Sequence, residues 1–109
     1  MKIIIKAKVN GHNWKIRFVG QNFMPDGTFG VTYFARKTID ILDDLDKENT
    51  ELTLTHELTH ATLTSQGRTY QKTFTREDVC EFVAWNIESI KAIKDQIMKE
   101  RYAKEEGKC

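Results

Sequence analysis

A chain of 109 residues has room for one compact domain and not comfortably for two, so a single domain over residues 1–109 is expected. Its composition, 39% hydrophobic and 30% charged, excludes a disordered chain and predicts a soluble globular protein. Seventeen basic residues against sixteen acidic ones leave a net charge of +1, which argues against nucleic acid or an anionic membrane as partner.

The first 45 residues read as a sheet region. Ile3, Ile5, Ala7 and Val9 alternate with other residues, Asn10-Gly11 signals a turn, and Trp14, Ile16 and Phe18 alternate again. This pattern predicts a hairpin. Pro25-Asp26-Gly27 marks the next turn, before a β-rich run over residues 28–35. Thr38-Ile39-Asp40-Ile41-Leu42 is a short fourth strand, and the acidic run Asp43-Asp44-Leu45-Asp46 reads as a linker. Ile3-Ile4-Ile5, the longest apolar run, is too short to cross a bilayer, and no signal-peptide pattern opens the chain. A cytoplasmic protein is therefore expected, with Cys80 and Cys109 as reduced thiols.

A first helix is predicted within residues 48–67, starting at Asn49 or Thr50 and ending at Gln66, with Gly67 as its stop. It is rich in threonine, so packing rather than propensity must hold it. Leu54, Leu58 and Ala61 form one apolar face, with Leu52 and Leu63 opposite, beside the histidines; this predicts a helix between the sheet and another helix. After a polar loop, Thr75 reads as the N-cap of a long helix over residues 75–102, with Asp78 in a box-like position. Val79, Phe82, Val83, Ile87, Ile90, Ile93 and Ile97 recur on it at spacings of three and four and are expected to be core or a partner face. Trp14 and Trp85 read as packing residues. Strands followed by helices make an α+β domain: a small antiparallel or mixed sheet of about four strands, then two helices.

The chemistry lies in His56-Glu57-Leu58-Thr59-His60. On a helix, residues four apart share a face, so both imidazoles can reach one ion. Glu57 stands about 100° around the axis from His56, beside such an ion rather than on it. There it can take a proton from metal-bound water and return it to a leaving group. This is the HExxH pattern of zinc peptidases. A catalytic zinc needs a third protein ligand and an open position. His12 sits beside the hairpin turn and reads as an exposed turn residue. Glu77 and Glu81, one turn apart at the start of the second helix, are better placed: one can bind zinc while the other accepts the N–H of a ligating histidine. Glu77 is preferred as the ligand, Glu81 as its support, and Asp78 is a third choice. Tyr70 and Arg68, between the helices, are the candidates for stabilising an oxyanion.

The run Leu52-Thr-Leu-Thr-His-Glu-Leu-Thr-His-Ala61, followed by Glu77-x-x-x-Glu81-Phe-Val-Ala84, resembles the minimal gluzincin metallopeptidases. It is similar also to the catalytic core of ImmA/IrrE-type proteins and their relatives in phages and mobile elements. The resemblance covers roughly residues 28 to 90. It implies a zinc site completed by a glutamate on the following helix, with an acidic or amide residue four positions later as support; these fall on Glu77 and Glu81. It further implies that the strand before the motif helix, residues 38–42, borders the cleft and pairs with an extended peptide. The expected activity is zinc-dependent hydrolysis of a peptide bond in a peptide or protein substrate. The competing expectation is a non-catalytic, metal-stabilised module that docks on or inhibits a host protein through its long helix.

Overall fold

The computed structural model describes residues 3–67 and 73–106. Strands β1 (Ile3–Val9) and β2 (His12–Val19) form the predicted hairpin. Its two loop residues, Asn10 and Gly11, both have positive φ (49° and 80°), the left-handed pair that a tight hairpin turn needs to match strand twist. A single 3-10 turn at Gln21–Phe23 leads to β3 (Gly30–Tyr33) and β4 (Thr38–Leu42). Helices α1 (Lys47–Ser65) and α2 (Arg76–Glu106) complete the α+β fold. Among the described residues, no helix is long and apolar enough to cross a membrane.

The sheet is mixed, in the order β1-β2-β4-β3. β4 lies parallel to β2 and antiparallel to β3, so the chain lays down the edge strand first and then returns between its neighbours. This corrects the expected position of residues 38–42. Paired on both sides and with all five residues buried, β4 has no free backbone edge to offer a peptide. The strand that borders α1 at the rim of the sheet is β3.

Alternation sorts the strands into two faces. Ile5, Ala7, Val9, Trp14, Ile16, Phe18, Ile39 and Ile41 point to one side, where Leu54, Leu58 and Ala61 of α1 and Ile90, Ile97 and Met98 of α2 cover them. On the other side, Val19, Met24 and Leu42 form a second small cluster at one end. There Arg17 makes a two-pronged ion pair with the buried Asp40, Nε to Oδ1 at 2.6 Å and a terminal nitrogen to Oδ2 at 2.7 Å. That hydrogen bonding raises the guanidinium pKa above its usual value.

α1 begins at Lys47, two or three residues before its predicted start, because the supposed linker contains its cap: the Asp46 carboxylate accepts the Asn49 N–H at 2.7 Å. The threonine content is accommodated by back-bonding, in which Thr50, Thr55, Thr59 and Thr62 donate to carbonyls four residues earlier at 2.8 Å. Gly67 closes the helix with φ 75°. The box at the start of α2 forms as expected: the Thr75 N–H donates to Asp78 Oδ2 and the Asp78 N–H to Thr75 Oγ1.

Not every apolar position is covered. α1 touches both the sheet and α2, yet Leu52 is 63% exposed. On α2 the inward stripe runs through the buried Ile90 and Ile97 and the partly buried Phe82 and Ile93, while Val79, Val83 and Ile87 lie about half exposed. Trp14 packs in the core as expected, but Trp85 is 85% exposed and is no packing residue.

Candidate metal centre

The site is built where α1 crosses β3. Close approach there depends on Gly30: a Cβ at this position would stand 2.7 Å from Thr53 Cγ2 and 3.0 Å from Glu57 Cγ. The neighbouring inward residue, Thr32, donates its hydroxyl to Glu57 Oε1 at 2.7 Å. Glu57 is thus buried at the helix–sheet contact, with one oxygen engaged and the other, Oε2, 3.8 Å from His56 Nε2.

His56 and His60 project from successive turns of the same helix face, both exposed, with ring centroids 4.9 Å apart and planes at 73°. An open cleft of about 500 Å³ lies between residues 27–30 and the first turns of α1. Gly27, Phe29, Gly30, Leu52, His56 and Glu57 are among its walls.

β3 is an edge strand of the sheet, and its first residue, Gly30, lines this cleft. The Leu42 N–H donates to the Phe29 carbonyl at 2.9 Å. Alternation along an antiparallel ladder then commits the backbone groups of Val31 and Tyr33 to β4 and turns those of Gly30 and Thr32 outward.

The second half of the expected ligand set is placed differently. Glu77 and Glu81 are exposed on α2. Nine residues beyond Glu77, and so about 180° around the helix, Asn86 is buried against α1, accepting the Gln66 amide at 2.7 Å. The helix therefore turns the face carrying Glu77, with Glu81 one turn along, away from α1. Asp78 is engaged in the N-terminal box. His12 stands exposed beside the hairpin turn. Among the described residues, no three His, Cys, Asp or Glu side chains converge on a point that could hold a metal. Arg68 and Tyr70 lie outside the described residues.

The residues present fit part of a zinc site. Two imidazoles four residues apart on one helix face are available as nitrogen donors and a carboxylate stands beside them, while among the described residues a third protein donor is not brought to them. Two contributors were not foreseen from the sequence. Thr32 carries no spacing signal, lying 25 residues before its partner. Gly30 did carry one, since a glycine within a β-run marks a bulge or a close backbone approach. Comparison with protein-family models, with curated proteins and with solved structures finds no match.

Proposed function

We propose that the protein is a zinc-dependent peptidase whose centre is His56, Glu57 and His60. The observation that carries this reading is the Glu57 carboxylate: buried, held through Oε1 by Thr32, and facing His56 with Oε2. His56 and His60 would hold the zinc, which would supply a Lewis acid and an activated water. Glu57 Oε2 would accept the proton of the attacking water and later return it to the departing amine. Thr32 keeps the carboxylate from swinging away between these two transfers. The outward N–H and C=O groups of Gly30 and Thr32 pair with an extended substrate backbone, which lays the peptide along the cleft.

Glu77 is assigned as third donor with Glu81 as its support, on the resemblance to gluzincins. This assignment requires the first turns of α2 to rotate, since both carboxylates face away from α1 in the arrangement described above.

A second reading, a metal-stabilised binding module, draws on the exposed Val79, Val83, Trp85 and Ile87 of α2. Metal analysis and peptide cleavage separate the two. A peptidase binds zinc in the wild type, loses it in His60→Ala, and in Glu57→Gln keeps the metal while turnover falls by about 10²–10⁴. Full turnover by Glu57→Gln would sink the peptidase reading.

A further inference from the structure

The near-neutral total hides a separation of charge. Residues 1–40, which hold all four strands but the last two residues of β4, carry seven of the seventeen basic residues and two of the sixteen acidic ones. Those two are Asp26, in a turn, and Asp40, which is buried and already joined to Arg17. Both helices pack on one face of the sheet, so the basic side chains of the strands gather on the other.

The pairing register orders them. Lys6 of β1 stands directly opposite Lys15 of β2, Lys15 is level with Thr38 of β4, and Thr38 with Tyr33 of β3. One row thus crosses the whole sheet, from two lysines at one side to a tyrosine at the other. Lys8 is two residues along β1 from Lys6, on the same face and likewise exposed. Arg36 lies over the Tyr33 ring at 4.3 Å. Among the described residues, no carboxylate pairs with Lys6, Lys8 or Lys15.

Like charges directly opposite on a ladder destabilise the pair. The charges of Lys6 and Lys15 therefore repel across the ladder, and a polyanion lying over them would relieve that repulsion. Alternate residues on a strand are about 6.7 Å apart, comparable with the separation of successive phosphates in an extended single strand. A flat sheet cannot enter a duplex groove, but it can carry a splayed strand whose bases stack on an aromatic ring or a guanidinium plane. We propose that the open sheet face, with Lys6, Lys8 and Lys15 on phosphates and Tyr33 with Arg36 under a base, binds single-stranded nucleic acid. This surface is independent of the proposed hydrolysis, and it reverses the expectation drawn from net charge alone.

Fluorescence anisotropy of the full chain with a labelled oligothymidylate of about 12 nucleotides tests this. The expected dissociation constant lies in the range of about 10⁻⁴–10⁻⁶ M and weakens steeply with salt. Lys6→Gln/Lys8→Gln/Lys15→Gln should weaken binding at least about tenfold and reduce the slope of log K against log salt by about 2, at ~0.7 per phosphate contact. The corresponding triple arginine variant should keep both. Tyr33→Ala should weaken binding about fivefold or more with the slope unchanged. The proposal is overturned if the wild type shows no salt-dependent binding, or if a duplex or polyglutamate binds as well as the single strand. It is overturned equally if the triple glutamine variant, with a native circular dichroism spectrum, keeps its affinity.

Discussion

Glu57 is the residue on which the proposed chemistry and the packing converge. Its Oε1 is held by Thr32 at 2.7 Å, so Thr32→Val, which keeps the shape and removes the donor, should lower peptide turnover about tenfold. Zinc content, measured on the same sample, should stay unchanged, because the Thr32 hydroxyl bonds to Glu57 and not to a proposed metal ligand. Gly30→Ala acts on the same contact through volume. The added methyl meets Thr53 Cγ2 and Glu57 Cγ, and a β-branched neighbour on a helix is stiff, so α1 must shift. The expected loss is about 1–3 kcal/mol by thermal or urea unfolding. Thr53→Ala in the same chain should recover part of it, and strict additivity of the two changes would refute the contact. The His–Glu–His triplet was legible in the sequence because helical spacing alone brings these residues together. Thr32 was not, since only the tertiary approach of β3 joins it to Glu57.

At the scale of elements, caps and ion pairs set the boundaries. Asp46→Ala removes the acceptor for the Asn49 N–H and should cost about 1 kcal/mol, read from the unfolding midpoint. Arg17→Met should cost more, about 3–5 kcal/mol, because it strands the Asp40 carboxylate, 2% exposed, without its partner. The hairpin, both helices and the start of α2 could be read from turn residues, periodicity and the Thr75–Asp78 box. The order of strands could not. An alternating run such as Thr38 to Leu42 has the same pattern whether it lies at an edge or in the middle; its neighbours decide. α2 shows the same ambiguity in helical form. Val79, Val83 and Ile87 repeat as regularly as Phe82, Ile90, Ile93 and Ile97, and only packing against α1 and the sheet selects the second stripe. That selection also sends Glu77 and Glu81 outward.

Across the whole molecule, the long axis of 47 Å matches the roughly 46 Å expected for the 31 residues of α2. The two tryptophans report on opposite environments along this body. Iodide should quench one component of the native fluorescence strongly and spare the other. Trp85→Phe should abolish the quenched component, and Trp14→Phe the protected one. Equal quenching of both would contradict the fold.

The path of the sheet has a consequence for how the protein comes into being. β3 has β4 as its one strand neighbour among the described residues, and β4 is the last strand to leave a ribosome. Until it slots in beside β2, no scaffold exists to carry Gly30 and Thr32 up to α1. A chain stopped before residue 38 has the two strands of the hairpin but no partner strand for β3. The seating of Glu57 against Thr32 therefore depends on β4, which ties the edge strand β3 to the rest of the sheet.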